Sequence, residues 1–167
     1  GVERNSVIEC LDAKTIYQVP LSFLKENILV PISEALDLGE LTPHMDEWDL
    51  LVKRVIAPRD ELKIAFVGKY LDLKESYKSL TESLIHAGAH LNAKVCIKWV
   101  DSEMIEEKGS EEILSDVDGI LVAGGFGERG VVGKMEAIRY ARENKIPYLG
   151  ICLGMQLAMI EFARNVL

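Results

Sequence analysis

From residue 62 onward, short apolar runs and helical periodicities take turns along the chain. KIAFVG (63–68) is rich in β-formers, SYKSLTESLIHAGAHL (76–91) repeats its apolar positions at helical spacing, and VCIKWV (95–100) is β-like again. An acidic stretch, 101–118, leaves room for one or two helical turns and reads as solvated surface. DGILVAGG then predicts a strand, 133–144 a helix, IPYLGI a strand, and 153–166 a helix joined to that strand without a loop. The strand runs carry no polar alternation, as expected of strands covered on both faces. Together these elements predict an α/β fold with a doubly wound, mostly parallel sheet.

Residues 1–52 follow no such rhythm. Their apolar clusters are short and interrupted by Pro20 and Pro31, with a helix expected near the second, and they read as the end of another domain rather than a whole one. KRVIAPRDE (53–61) breaks the periodicity, sets Pro58 among charges and is expected to be a linker. Residues 62–167 are then the N-terminal part of the doubly wound domain.

Charge and cysteine usage narrow the function. The 167 residues carry 19 Lys and Arg against 27 Asp and Glu, a formal charge of -8, which disfavours a sequence-independent grip on nucleic acid. No apolar run approaches the ~20 residues needed to cross a bilayer, so no membrane partner is expected and the chain reads as cytoplasmic. Cys10, Cys96 and Cys152 are odd in number and unrelated in spacing. Neither a disulfide framework nor a CxxC metal site is suggested. His86 and His90 lie four apart on one helix face, but with no third ligand apparent a solvated helix face explains them better than a metal pair. His44 reads as a surface residue.

In doubly wound sheets, working groups collect beyond the carboxyl ends of the strands, and two glycine-bearing turns fall there. In GICLGMQ, Cys152 sits at a strand-to-helix junction with Gly150 and Gly154 two positions to either side, as a sharp turn with close backbone packing requires. Such a turn lifts the thiol above the sheet edge at a helix N-terminus, where backbone dipoles favour a thiolate. Taken alone, the same residues also suit a small core cysteine at a helix start. In LVAGGFGERG, Gly124 and Gly125 end a neighbouring strand, and the N–H groups of Gly125 and Leu153 could together receive a developing oxyanion. An ordinary βα turn or a weak phosphate cradle is the plainer alternative, although a Walker lysine is missing. Glu128 and Arg129 could pair with each other, contact a nucleotide or face solvent. Lys69 and Tyr70, after the first strand, are expected to touch a partner domain.

Taken together, KIAFVGKY, SYKSLTESLIHAG, KWVDSE, DGILVAGGFGERGVVGK and AIRYARENKIPYLGICLGMQLAMIEFARNVL, with TIYQVPL before the linker, resemble the CTP synthase family, in particular its class I glutamine amidotransferase domain. The resemblance implies a flavodoxin-like sheet, incomplete at its C-terminal end, and preceded in residues 1–52 by the C-terminal end of the synthetase (amidoligase) domain, a short tail of a second α/β domain. It implies that Cys152 attacks the side-chain amide of L-glutamine, that Gly125 and Leu153 supply the oxyanion hole, and that Gly125, Phe126 and Gln156 hold the glutamine. The turn bearing Gly127, Glu128, Arg129, Gly130 and Gly133 would form a GTP-sensing lid over the route of ammonia.

What the family needs besides lies outside this sequence. The resemblance places the histidine and glutamate partners of the cysteine downstream of Leu167, and the ATP, UTP and Mg2+ sites upstream. Catalysis by this segment alone is therefore not expected, and no cofactor or metal is expected to be bound by it. The complete family enzyme is expected to use ATP with Mg2+ to aminate UTP, to respond to GTP as activator, and to form a homotetramer. Two other readings remain: a stand-alone cysteine-elbow amidase or hydrolase, and a non-catalytic interaction module.

Overall fold

The computed structural model describes residues 1–69 and 74–167, so Tyr70 lies outside the described residues. The chain divides into two compact units, one formed by 1–60 with 86–94 and the other by 61–85 with 95–167.

The first unit is built on helices α1 (Val19–Lys25), α2 (Leu29–Leu36) and α3 (Asp46–Ile56). Pro20 opens α1 within its first two positions, where a missing N–H is tolerated. The expected helix around Pro31 is α2. Helix α3 has Asp46, Glu47 and Asp49 in its first turn and Lys53 and Arg54 in its last, so its charges oppose the helix dipole at both ends. Residues 53–56 thus finish a helix and 60–61 open a strand, which leaves only 57–59 of the expected linker between elements.

The second unit contains most of a four-stranded sheet. Its strands are β1 (Asp60–Gly68), β2 (Ala93–Asp101), β3 (Gly119–Val122) and β4 (Tyr148–Gly150), in the order β2-β1-β3-β4. Strand β3 pairs parallel with both β1 and β4, with Val122 facing Val67 on one side and Gly150 on the other. This is the α/β, doubly wound sheet the pattern predicted, in the flavodoxin-like order the resemblance implied, and its switch point lies between β1 and β3.

The helices are α4 (Lys78–His90), α5 (Ser102–Lys108), α6 (Ser110–Leu114), α7 (Val131–Asn144) and α8 (Leu153–Asn165). Side-chain alternation along the strands divides the core in two. Ala65, Val67, Ile120 and Val122 face a cluster with Ile105, Leu114, Ala137, Ile138 and Leu157, drawn from α5 to α8. Phe66, Leu121 and Ala123 face Tyr77, Leu80, Leu84 and Trp99, and the Phe66 ring lies 5.0 Å from Tyr77 and 4.7 Å from Trp99. Phe66 has no exposed surface, so truncating it to alanine removes about 3–5 kcal/mol of stability.

The acidic stretch departs from the expected solvated surface. It folds into α5 and α6 because Ile105 and Leu114, both fully buried, anchor it to the core, while Asp101 caps α5 by accepting from the Glu103 N–H at 3.0 Å.

Candidate active site

Strand β4 delivers the cysteine. Beyond Gly150, the Ile151 N–H donates to the Val122 carbonyl at 3.0 Å, which holds the chain against the end of β3. The backbone then turns at Cys152, whose φ of 53° and ψ of -109° are foreign to an ordinary L-residue, a strain of order 1–3 kcal/mol held in place by its surroundings. The Gly154 N–H donates to the Ile151 carbonyl at 3.0 Å and the Gln156 N–H to the Cys152 carbonyl at 3.1 Å. Tyr148 donates its hydroxyl to the Gly154 carbonyl at 2.8 Å, and burial pushes its phenol up, so it remains a donor at neutral pH.

The two flanking glycines are needed for contact. A Cβ on Gly154 would overlap the Val122 carbonyl, and one on Gly150 would lie 2.6 Å from Gly154 C and Met155 N. Only with both absent can helix α8 start this close to β3 and β4. The outcome is an exposed thiol at the first turn of α8.

The glycine pair after β3 lies beside it. A Cβ on Gly124 would lie 3.3 Å from Cys152 Cβ and 3.9 Å from its Sγ, and one on Gly125 would lie 4.0 Å from Leu153 Cδ2. Among the described residues no protein group accepts from the N–H of Gly125 or of Leu153. Two donors without partners next to an exposed thiol are what an oxyanion hole requires. Phe126 (92% exposed) and Gln156 both face solvent.

The turn that follows is tied down by the acidic helix. Arg129 reaches Glu103, donating Nη2 to Oε2 at 2.6 Å and Nε to Oε1. That bond holds the Glu103 carboxyl below its ordinary range. Gly127 and Gly130 have left-handed φ of 77° and 70°. The turn is shorter than expected: α7 begins at Val131, so Gly133 is buried in its first turn, where its N–H donates to Glu106 Oε1 at 2.8 Å.

Lys69 is 7% exposed and donates Nζ to the Phe126 carbonyl at 2.8 Å, so it packs against the glycine-bearing turn after β3. The histidines lie elsewhere: His44, His86 and His90 all fall in the first unit, where the His86 Nε2 and the Tyr17 hydroxyl share a hydrogen bond of 2.8 Å. Among the described residues no three His, Cys, Asp or Glu gather to hold a metal ion.

Sequence reasoning missed Lys134, which has no exposed surface and donates Nζ to the Ala123 carbonyl at 3.2 Å. Burial pushes its ammonium below the ordinary lysine value, Lys69 pushes it further in the same direction, and Cys152 opposes them. A signal was present: Lys134 shares one helical stripe with the buried Ala137, Ile138 and Ala141, a position where an apolar residue is expected.

Comparison with known proteins agrees with this geometry. Residues 72–167 match the family described as "Glutamine amidotransferase class-I". The chain is 71% identical over 167 residues to a protein named CTP synthase from Campylobacter jejuni, covering all of this chain and 31% of that one. It is 68% identical over 169 residues to a CTP synthase from Nautilia profundicola, covering 99% and 31%. The chain thus spans less than a third of the length of the curated relatives it matches. A solved structure of the glutaminase domain of Trypanosoma brucei CTPS with bound acivicin superposes with a TM-score of 0.58 at 47% identity, covering 63% of this chain and 41% of that one. With a family match that runs through both glycine-bearing turns and the strained cysteine between β4 and α8, the chain belongs to the class I glutamine amidotransferases.

Proposed function

We propose that this chain carries the glutamine-hydrolysing cysteine of an enzyme that aminates UTP to CTP at the expense of ATP. The observation that carries the reading is the juxtaposition of the exposed Cys152 with the N–H groups of Gly125 and Leu153, from which no described residue accepts. The Cys152 thiolate attacks the side-chain carbonyl carbon of L-glutamine. The carbonyl oxygen takes up negative charge and is received by the two N–H groups. Collapse of this intermediate breaks the C–N bond and releases ammonia, leaving a glutamyl thioester that water cleaves to glutamate. Phe126, Gln156 and Gly125 line the approach and hold the substrate.

The proton relay is assigned to a histidine and a glutamate of the full-length protein, outside residues 1–167. The sites for UTP, ATP and Mg2+ are likewise assigned outside them, on the resemblance to the CTP synthase family. The reading extends to a cytoplasmic homotetramer in which the turn at 127–130 responds to GTP. Its support is the name borne by the relatives and the acivicin, a glutamine analogue, in the trypanosomal glutaminase domain.

The test uses the full-length protein that carries this sequence. It should form CTP from UTP, ATP and either glutamine or ammonia, and Cys152→Ala should abolish only the glutamine-dependent route. Loss of both routes, or of neither, would refute the assignment.

A further inference from the structure

We propose that Lys69 and Lys134 form a buried cationic brace behind the turn at 124–126, which fixes the Gly125 donor and sets positive charge beside the reacting atoms, so that Lys134 is a positioning residue for glutamine hydrolysis. The inference rests on the glutaminase reading above.

The two lysines come from different elements and converge on one turn. Lys69 follows β1 and holds the Phe126 carbonyl, and Lys134 in α7 holds the Ala123 carbonyl. Their acceptors therefore bracket Gly124 and Gly125. A Cβ on Gly125 would lie 3.4 Å from Lys134 Nζ and 3.7 Å from Lys69 Cε, so both side chains pack directly against the residue proposed to supply the oxyanion donor.

Stability does not explain the pair. An ammonium has three donors, yet among the described residues Lys134 has a single acceptor, a neutral carbonyl, and no carboxylate. Its neighbour is a second cation, which pushes Lys134 down, as does burial. A buried charge without a counter-ion is unfavourable, and methionine would fill similar space without that cost.

An anion arising in the reaction would remove the conflict. Among the described residues a Cys152 thiolate favours the Lys134 charge, and the two groups meet neighbouring glycines, Cys152 Sγ 3.9 Å from a Cβ on Gly124 and Lys134 Nζ 3.4 Å from one on Gly125. As the thiolate attacks, the charge passes to the carbonyl oxygen at Gly125 and Leu153, still beside the brace. Bound glutamine presents a neutral amide there, so the lysines act mainly on the transition state and on kcat.

The experiment compares the full-length wild type with Lys134→Met, which removes charge and donors, and Lys134→Gln, which keeps a donor for Ala123 but loses the charge. Glutamate release and labelling of Cys152 by a glutamine-mimicking electrophile are measured, with Cys152→Ala as the blank. Both variants should lose about tenfold to a hundredfold in kcat and in labelling rate, with KM for glutamine within about twofold, as expected for electrostatics acting in the transition state. Should Lys134→Met fail to fold, Lys69→Met carries the same comparison. A kcat equal to wild type in Lys134→Met, or in Lys134→Gln, would overturn the brace. A wild type that releases no glutamate would overturn the glutaminase reading and the brace with it.

Discussion

Replacing Gly150 by alanine adds one methyl group between β4 and the start of α8. That carbon would lie 2.6 Å from Gly154 C and Met155 N and 2.7 Å from the Tyr148 hydroxyl, where carbon–carbon contacts settle near 3.5 Å. The first turn of α8 must therefore retreat by about 1 Å. Two effects oppose each other in stability. Alanine restricts the unfolded chain, which favours folding by about 0.4–1 kcal/mol, whereas overpacking against backbone costs about 1–3 kcal/mol. The backbone contact should win, because neither Gly154 nor Met155 N can rotate away, and a net loss of about 1–2 kcal/mol is expected. Function should suffer more than stability. The displaced turn carries Cys152 and the Leu153 N–H, and a 1 Å misplacement of reacting groups can lower rates about a hundredfold. In the full-length protein, labelling of Cys152 by a glutamine-mimicking electrophile should fall at least tenfold, while thermal unfolding shifts down by a few degrees. Wild-type labelling together with an unchanged melting temperature would refute the claim that this glycine sets the elbow.

Three further outcomes follow from the charges. Glu161 is 1% exposed and accepts from Arg142 Nε and Nη2 at 2.9 and 2.7 Å, and from Asn165. Glu161→Ala should destabilise by about 2–4 kcal/mol in denaturant unfolding, somewhat less than for a fully enclosed pair because Arg142 keeps partial access to water. Arg142 holds the Glu161 carboxyl below its ordinary value of 4.5; its contribution is present above that value and is lost as pH falls through the lower, folded one. Asp116, bonded to Lys63 and Lys98, is held down to about 2, so its stabilising effect is lost only below about pH 4. Its carboxyl titration by NMR should have its midpoint near 2, and should move up in Lys63→Ala. Glu103→Gln removes the ionic hold on Arg129 and should speed chymotryptic cleavage after the exposed Phe126 several-fold; an unchanged rate would show that Glu103 does not restrain the turn.

The fold was largely legible because its information is local. Strands buried on both faces leave uninterrupted apolar runs, and β1, β3, α4 and α8 fall within a few residues of where the pattern sets them. The acidic segment misled because acidic residues outnumber the anchors: Ile105 and Leu114 hold α5 and α6 to the core, while Glu103 reaches Arg129 and Glu106 the start of α7, each more than twenty residues away. Such pairings depend on the crossover from β2 to β3, and sequence spacing does not contain them. Arg129 illustrates the same limit, since Glu103, which accepts from its guanidinium, lies 26 positions away in sequence.

At the site, legibility follows the same division. The elbow announces itself because strand, turn and helix are contiguous, and steric demand writes Gly150 and Gly154 next to Cys152. The brace does not, because Lys69 and Lys134 are 65 positions apart and meet only where β1 and α7 both abut the end of β3. Each nonetheless violates a local rule: Lys69 extends the buried end of β1, and Lys134 interrupts the buried stripe of α7. A residue that breaks its own element's pattern while the fold keeps its charge buried is held there by something other than packing. Glu161 breaks the α8 stripe in the same way but has Arg142 as counter-ion, which explains it within the fold. Among the described residues Lys134 has none, and the proposed brace accounts for it through the anion that glutamine hydrolysis would form at Cys152 and Gly125.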